Sequence, residues 1–569
     1  MIENACGTKK PCRADKAFFH ALILSFMGLL FSQSLFAQTA PPLSGRILES
    51  QNPVAPPQAP APQAPVLQLP EITTADVPAG GMTFLLQGVT FEGNQALDAM
   101  SLQMLLQPMI GREVTLADLH AMASAIASYY NARQFLLVQA IVPPQKVVDG
   151  IVRFQIIEGF IDRISVTESS PLLSDAAALA YLNGVEGARP LTRDMLERPL
   201  LLIDRLPASS VQAVLEPGVA PGSSSLGLAL ASEPAWSGNF YVDNFGSDAT
   251  GETRTGIDVE YSGLAGIGDQ LGVSLLTSEG SGVESGGLNY RVPVGSDGWL
   301  LEANVEHMNY TLGGQFSALG GHGEANNASI KMAFPLQLTA TGNTEVWGMY
   351  RYRELRDVLD AVGDTNRRHV GHAELGVSSS GFDAFGGWNY AMLSYAAGEL
   401  NLQNQAAKAA DVYGQDGFFS KANMLLTRQQ RLGARFGLTL LLQGQYAWQN
   451  LDSGEKFALG GPYSVRAYPV SELTGDDGWL AQCALQWYAN EQVTLSVFAD
   501  RGWVRFNADE LRGNPWTDQY LSSAGVGFDW QGPYGFEVHA SVAWAGDYES
   551  VADRGNTEGR FYGVLRKRF

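Results

Sequence analysis

From about residue 235 to the end of the chain, apolar and polar residues alternate along one short segment after another. In Gly535–Trp544 every second residue is apolar, and Glu537, His539 and Ser541 lie between them. The same period of two runs through Val493–Asp500. Because successive side chains of a strand point to opposite faces, each segment predicts a strand with one apolar and one polar face. Many such strands in succession are typical of a transmembrane β-barrel.

The composition is consistent with a membrane β-barrel. Charged residues make up 17% of the 569 residues, glycine occurs 63 times and the net charge is −21. A mean hydropathy of −0.04 is too low for a helical membrane protein, and the acidic balance argues against a nucleic-acid partner. A soluble β-sandwich also shows alternation. The number of alternating segments and the terminal Phe569 favour the barrel, and 235–569 accommodates sixteen strands of ~10 residues each.

The N-terminus has the pattern of a secretory signal peptide. Basic residues precede an apolar run over 17–36, and Ala37 follows that run. A basic start, an apolar stretch and a small residue at the cut define such a peptide. We assign 1–37 to it, with Ala40 as the alternative cleavage site and a signal anchor as the other interpretation. Removal of Cys6 and Cys12 leaves Cys483 alone, which excludes an internal disulfide in the mature chain.

Residues 38–79 are interpreted as an N-terminal segment and a linker. The stretch 53–70 is rich in proline and alanine and carries no charge. Since proline fixes φ and donates no backbone hydrogen bond, this stretch predicts an extended, semi-rigid linker. The preceding residues, 43–52, predict a short helix of about two turns.

Two units with the same βααββ order follow, over 80–158 and 159–234. In the second helix of the first unit, Thr115 is the expected N-cap, and Leu119, Met122 and Ile126 share one face. The order recurs with a period of about 75 residues, which indicates two copies of one domain. The predicted strands and helices cover 83–91, 97–108, 115–132, 134–142 and 150–158, then 161–167, 174–183, 191–205, 209–216 and 224–231.

Short motifs in both units carry a family resemblance. The first unit has Pro144-Gln145, Gly150 and the run 158–161 (Glu-Gly-Phe-Ile), and the second has 201–205 (Leu-Leu-Ile-Asp-Arg) and Pro217-Gly218. The two units resemble the POTRA domains of a two-partner secretion transporter of the haemolysin secretion/activation family. Generic α/β packing is the alternative, because glycine and proline are common at hairpins.

The most specific motif lies between two alternating segments of the barrel region. It resembles the inward-folded loop of the two-partner secretion and barrel-insertase superfamily, whose core reads Val-Arg-Gly-Tyr. Alanine stands where this family usually has glycine, so the local backbone is expected to differ slightly. The motif residues are Gly460, Gly461, Val465, Arg466, Ala467 and Tyr468.

A second motif, downstream, matches the family's Phe-x-Asp-x-Gly strand through Phe498, Asp500 and Gly502. Since a spacing of two places Phe498 and Asp500 on one face, and the alternation makes that face polar, we expect both in the barrel lumen. The resemblance implies that Arg466 pairs with Asp500. A guanidinium on a carboxylate forms a directional, two-pronged bond, which would hold the loop in the pore and still permit its release.

The predicted fold class is mainly β: a 16-stranded antiparallel transmembrane β-barrel over 235–569, preceded by two periplasmic βααββ POTRA domains. The resemblance implies a transporter in the outer membrane of a Gram-negative bacterium. It would export one large exoprotein, an adhesin or haemolysin-like partner with an N-terminal secretion domain, without ATP. Outer-membrane lipids and periplasmic chaperones are further expected partners. No enzyme activity, catalytic residue, cofactor, metal or nucleic-acid partner is predicted.

Capture of the exoprotein is expected to use strand addition at a POTRA edge, since an extended segment offers free backbone groups. We assign it to the last strands of the first unit, where the apolar residues are Val138, Ile141, Val152 and Phe154.

Two rival interpretations belong to other classes of protein. A barrel insertase shares the loop motif but usually carries more POTRA repeats than the two that fit here. An enzyme anchored by a barrel is disfavoured, because the sequence lacks a Gly-x-Ser-x-Gly elbow and a Walker loop.

Overall fold

The structure is a computed structural model that describes residues 41–51, 55–60, 67–68, 83–220, 222–232, 234–509, 518–546, 550 and 559–569. The predicted signal peptide lies outside these residues. Among the helices in this described part of the chain, none is both long enough and apolar enough to cross a membrane.

The N-terminal segment contains one short helix, α1 (Ser44–Gln51), which confirms the helix predicted over 43–52. Its Ile47 and Leu48 are buried in a cluster with apolar residues from many strands of the barrel. Farther along, β1 (Leu67–Gln68) is a strand of two residues within the linker. The linker therefore begins inside the barrel and adds a strand to a sheet outside it, as described below.

The first POTRA-like domain has a three-stranded sheet in which β6 lies between β3 and β5. Its second helix begins at a capping box, where hydrogen bonds from Thr115 lower the pKa of the Asp118 carboxyl. The elements are β2 (Phe84–Leu85), β3 (Gly88–Glu92), α2 (Ala99–Leu106), a 3₁₀ turn (Gln107–Met109), β4 (Glu113–Val114), α3 (Leu116–Asn131), β5 (Val138–Ile141) and β6 (Ile151–Glu158).

Three of the four residues expected to contact the exoprotein belong to this domain's core. Val152 and Phe154 lie on the central strand β6 and are 0% exposed, and Val138 is 5% exposed. Ile141, on the edge strand β5, is 40% exposed. This burial argues against side-chain contacts of Val138, Val152 and Phe154 with the exoprotein, because the apolar face of this sheet packs under the helices. Val152 and Phe154 also lie on a central strand without a free edge, whereas Val138 lies on the edge strand β5 with its side chain turned into the core.

The second POTRA-like domain has a four-stranded sheet in the order β1-β8-β9-β7, so the linker strand β1 supplies one edge. Its own elements are β7 (Phe160–Glu168), α4 (Asp175–Tyr181), α5 (Arg193–Asp204), β8 (Ser209–Pro217) and β9 (Ser223–Ser232). Helices α4 and α5 cover one face of this sheet and form an apolar core with it.

Backbone hydrogen bonds join the two POTRA-like domains to each other. Leu136 N donates to Leu191 O at 2.9 Å, and Arg193 N donates to Gln134 O at 2.7 Å. Leu136 is itself buried in the core of the second domain. The two domains are thus fixed to each other by main-chain contacts as well as by packing.

The second domain also contacts the adjacent end of the barrel. Arg198 Nη2 donates to Pro335 O at 2.7 Å, and Arg205 Nη2 lies 3.1 Å from Glu345 Oε2. Leu338, from the barrel, is buried in the domain's apolar core. This end of the barrel is called the periplasmic end below, and the opposite end the outer end.

The barrel is closed by sixteen strands, each hydrogen-bonded to its neighbours, with β10 pairing with β27. Every pairing in it is antiparallel, from β10–β11 round to β26–β27. The strands are β10 (Trp236–Asp243), β11 (Arg254–Ser262), β12 (Gln270–Ser278), β13 (Val283–Val294), β14 (Trp299–Thr311), β15 (Gly321–Thr339), β16 (Gly342–Leu359), β17 (Asp364–Phe382), β18 (Gly387–Leu402), β19 (Gly417–Leu432), β20 (Phe436–Ala447), β23 (Asp477–Tyr488), β24 (Val493–Arg505), β25 (Asp518–Gln531), β26 (Phe536–Ala545) and β27 (Arg560–Arg568). Two short strands, β21 (Phe457–Leu459) and β22 (Leu473–Gly475), and a short helix, α6 (Gln405–Ala410), lie in the loops at the outer end.

The alternation in the sequence corresponds to the two faces of the barrel wall. On β24, Leu495 and Val497 point outward and are 37% and 54% exposed, whereas Asp500 points inward and is 2% exposed. On β26, Phe536 and Trp544 likewise face outward. An apolar outer face suits lipid, and a polar inner face suits a lumen. The predicted 16-stranded antiparallel barrel is confirmed.

Candidate functional site

The loop that joins β20 to β23, residues 448–476, starts at the outer end and folds back into the lumen. Strands β21 and β22 pair as an antiparallel ladder at its base. Gly460 and Gly461 follow β21 with φ of +99° and +111°, a region that glycine adopts without strain. A Cβ on Gly460 would lie 2.2 Å from Pro469 O, so the tight return of the loop also requires the absence of a side chain.

Arg466 lies near the tip of this loop and binds Asp500 on the lumen face of β24. Its Nη2 lies 2.6 Å from Asp500 Oδ1, and its Nε lies 2.9 Å from Asp500 Oδ2. The backbone N–H of Arg466 also donates to Asp500 Oδ2, at 3.2 Å. The side chains of Arg466 and Asp500 are only 13% and 0% exposed. The expected pairing is therefore present as a two-pronged ion pair, and we call it the Arg466–Asp500 fork.

Two neighbouring wall strands complete the coordination of Asp500. Gln482 Nε2 on β23 donates to Asp500 Oδ1 at 3.2 Å, and Ser523 Oγ on β25 donates to Asp500 Oδ2 at 2.9 Å. Gln482 Nε2 also donates to Ser464 O of the loop at 2.7 Å. The carboxylate is thus oriented by three adjacent strands before the loop reaches it, which reduces the conformational freedom lost on binding.

The remaining motif residues shape the contact between loop and wall. The Arg466 guanidinium carbon lies 3.3 Å from the centre of the Phe498 ring, a cation–π contact. A Cβ on Gly502 would lie 2.5 Å from Leu459 Cδ2, so glycine lets the loop approach the wall closely. Val465 and Tyr468 are fully buried.

Ala467 fits its position in the loop. It does not adopt the left-handed backbone that favours glycine. The nearby backbone is instead fixed by other groups, since Tyr468 N donates to Val465 O and Tyr562 Oη donates to Tyr468 O at 2.8 Å. The structure thus shows no need for glycine at residue 467.

Helix α1 is a second element inside the lumen, and its first residue is bound by Asp357 of β16. Ser44 N donates to Asp357 Oδ1 at 2.7 Å, and Ser44 Oγ donates to Asp357 Oδ2 at 3.1 Å. Tyr310 Oη and Arg368 Nη1 contact the same carboxylate at 2.5 and 2.9 Å. A carboxylate at a helix N-terminus is stabilised by the free N–H groups of the first turn.

Charged residues bind the rest of α1 and link it to the loop. Arg353 on β16 pairs with Glu49 of the helix and, through Nη1, with Glu455 of the loop at 2.9 Å. At the helix end, Arg254 Nη1 donates to Gln51 O at 2.8 Å. The helix and the inward-folded loop therefore share one network of wall charges.

Sequence reasoning identified the fork but missed the residues that bind α1. Arg353 and Asp357 are four apart and so point to the same face of β16, in a stretch where tyrosine and arginine alternate over 350–353 and three of the next four residues are charged. Charges on the polar face of a predicted strand are the signal that could have identified a lumen site. Gln482 and Ser523 carry no such signal, because uncharged polar residues are common on every lumen face.

The chain also matches known proteins over most of its length. The model of the family "Haemolysin secretion/activation protein ShlB/FhaC/HecB" matches residues 222–530, which is more than half of the chain. The chain belongs to the ShlB/FhaC/HecB family. A second family model, "POTRA domain, ShlB-type", matches residues 84–159, the first of the two βααββ units.

Relatives of this kind match most of the chain, and a solved structure covers nearly all of it. The heme/hemopexin transporter protein HuxB of Haemophilus influenzae (strain 86-028NP) is 25% identical over 79% of this chain and 81% of its own. The outer membrane transporter CdiB of Dickeya dadantii (strain 3937) is 22% identical over 75% of this chain and 77% of its own. The structure of CdiB from Escherichia coli superposes with a TM-score of 0.70 at 17% identity, covering 99% of this chain and 100% of that one.

Membership of the ShlB/FhaC/HecB family decides between the predicted classes of function. The chain is an outer-membrane transporter that exports a partner exoprotein, and its POTRA domains lie in the periplasm. The predicted resemblance, fold class, localisation and transport function are confirmed, and the insertase is not favoured.

Proposed function

We propose that this transporter recognises one large exoprotein, adhesin-like or haemolysin-like, through its POTRA domains and passes it to the cell surface in extended form without ATP. The observation that carries this proposal is the Arg466–Asp500 fork inside the lumen. Together with other side-chain contacts, such as Gln482 with Ser464 O and Tyr562 with Tyr468 O, it attaches a loop within the path of export without joining the loop to the barrel sheet. Side-chain contacts of this kind can be broken and remade while the barrel wall stays intact.

The lining of the lumen supports passage of an unfolded chain. Arg353, Asp357 and Arg368 of the barrel wall face the interior and pair with α1, with the loop or with one another. When α1 and the loop move aside, these groups are left to bind water or the backbone of an extended polypeptide. An unfolded chain carries free N–H and C=O groups, so a polar wall meets its hydrogen-bonding needs better than an apolar one.

Strand addition to a POTRA-like sheet supports the capture step. In the first domain, β5 (Val138–Ile141) pairs with β6 on one side and forms the outer edge of the three-stranded sheet. Ile141 is the exposed apolar residue on this edge. Main-chain hydrogen bonds would supply affinity for an extended segment of the exoprotein, and a side-chain contact with Ile141 would add selectivity.

Folding of the exoprotein outside the cell would supply the direction of transport. A segment that folds beyond the barrel is too wide to return, so each emerging part makes the reverse movement costly. Periplasmic chaperones would keep the rest of the exoprotein unfolded until it enters. Outer-membrane lipids would contact the outward-facing apolar residues of the barrel, such as Val497 and Trp544.

The test is deletion of the gene followed by comparison of the culture supernatant and the outer membrane with those of the parent strain. Loss of one large secreted protein, restored by the wild-type gene, supports the proposal. Broad loss of other outer-membrane barrels would instead indicate an insertase, and no change in either fraction would refute export of an exoprotein. The protein that disappears is called the cognate exoprotein below.

A further inference from the structure

The second POTRA-like domain presents an edge strand that the chain's own linker covers only in part. Strand β8 is nine residues long, and its inner side pairs with β9 along its whole length. On the other side, β1 pairs with only two residues, Leu67 with Ala213 and Gln68 with Val214, in parallel register. In the described part of the chain, no other strand pairs with this side of β8.

An incoming extended segment can form more backbone pairs on β8 than the linker does. Val211, Ala213 and Leu215 point into the domain core, whereas Gln212, Val214 and Glu216 are exposed. Val214 is 40% exposed and presents an apolar side chain in the middle of the strand. The edge therefore offers both main-chain groups and one apolar contact, which are the two components of recognition by strand addition.

The strand β1 is also attached to the elements inside the barrel. Between α1 and β1, Ala59 N donates to Gln429 Oε1 at 3.0 Å, and Gln429 Nε2 donates to Pro57 O at 3.3 Å. The linker is thus anchored at the lumen helix, at the inner wall of β19 and at the edge of β8.

We propose that the β8 edge is a docking site for an extended segment of the exoprotein, and that this segment replaces β1 by strand exchange. This inference rests on the proposed function, because it names the partner of the same POTRA region. The longer incoming strand displaces the two-residue linker strand because it forms more ladder hydrogen bonds. The exchange removes one of the three contacts that hold the linker in place. Binding of the exoprotein in the periplasm therefore makes it easier for helix α1 to leave the lumen.

Cross-linking measures whether β1 lies on this edge and whether the exoprotein removes it. In full-length protein carrying Cys483→Ser, the pair Gln68→Cys with Val214→Cys is treated with a short bismaleimide, and Gln68→Cys with Glu168→Cys on the opposite edge strand is the control. We expect cross-linking of the first pair only. Absence of cross-linking of Gln68→Cys with Val214→Cys in the resting protein would overturn the inference without reference to any exoprotein.

The purified N-terminal domain of the cognate exoprotein is then added. We expect at least a fivefold decrease in cross-linking of the Gln68–Val214 cysteine pair, and at least a tenfold weaker binding of the domain when the linker has been cross-linked beforehand. Normal binding with unchanged cross-linking would overturn the inference and leave the proposed function intact. Failure to find any cognate exoprotein would instead refute the proposed function.

Weakening β1 by proline substitution should have the opposite effect and favour binding of the exoprotein. Leu67→Pro with Gln68→Pro removes both backbone N–H donors of β1 and so weakens the strand. We expect the N-terminal domain to bind at least threefold more tightly to this variant. Ala55→Pro, at an exposed position of the same linker outside both β1 and the contact with Gln429, is the matched control and should leave binding unchanged. Equal or weaker binding by the double proline variant would contradict competition at this edge.

Discussion

Arg466 and Asp500 form a two-pronged ion pair between a loop tip and the barrel wall, with donor–acceptor distances of 2.6 and 2.9 Å. The carboxylate accepts further hydrogen bonds from the loop backbone, from Gln482 and from Ser523. The arginine stacks on Phe498. Both the charge and the shape of the guanidinium are therefore used, and lysine would not be an equivalent residue at this position.

Arg466→Lys should reduce export of the cognate exoprotein at least about fivefold, although it keeps the positive charge. Lysine cannot form the two-pronged bond, and loss of one hydrogen bond to a charged group costs about 1.5–3 kcal/mol. Arg428→Lys is the matched control, since Arg428 pairs with Asp383 where both side chains are about one-third exposed. Quantitative immunoblotting of the supernatant measures both variants. Equal export by the two variants would show that the geometry of the fork is unimportant.

Deletion of residues 38–70 should raise the ion conductance of the protein in planar bilayers and leave secretion largely intact. The deletion removes α1, which Asp357, Arg353 and Arg254 bind inside the lumen. Replacement of residues 55–60 by a Gly–Ser segment of equal length retains α1 and is the control. Unchanged conductance after the deletion would mean that this helix does not obstruct the pore.

Deletion of residues 80–158 should weaken binding of the cognate exoprotein at least tenfold, because it removes the β5 edge and leaves only the β8 edge, while the barrel still inserts. The barrel is closed by its own sixteen strands, and its described contacts with the POTRA region come from the second domain. Heat-modifiable mobility on gels reports barrel folding, and pull-down with the N-terminal domain of the exoprotein reports binding. Normal binding by the shortened protein would place capture entirely outside the first domain.

Phe154→Ala should destabilise the first POTRA-like domain by about 3–5 kcal/mol, because it opens a cavity in a fully buried core. Ile141→Ala, on the exposed edge, should cost no more than about 0.5 kcal/mol. Proteolysis of the full-length protein across a urea series measures both. If Ile141→Ala lowered the midpoint as far as Phe154→Ala, the assignment of core and edge in this domain would be wrong.

The period of two in the C-terminal region was sufficient to predict the barrel, because lipid and lumen impose opposite requirements on alternate residues of each strand. The same pattern did not distinguish core from binding surface in the first POTRA-like domain. Val152 and Phe154 are apolar residues of a strand whether that strand is central or at an edge, and sequence spacing alone does not reveal the order of strands in a sheet.

Contacts between distant parts of the chain were predicted only where a motif indicated them. The pairing of Arg466 with Asp500 followed from a family resemblance, and the structure contains it. The contact of Ser44 with Asp357 joins residues that are 313 apart, and no local pattern indicates it. The sequence did not predict strand β1 either, because a proline-rich linker has no alternation of apolar and polar residues that would indicate a strand.

A double-mutant cycle on the fork tests most directly whether this ion pair holds the loop in the lumen, with export of the cognate exoprotein as the measured quantity. Breaking a buried ion pair by removing one partner costs about 3–5 kcal/mol, so Arg466→Ala and Asp500→Ala should each impair export strongly. Because either change already removes the interaction, we expect the double variant to export as much as the single variant with the lower export. Defects that add in the double variant would contradict this expectation, since the two residues would then act independently and the fork would not hold the loop in the lumen.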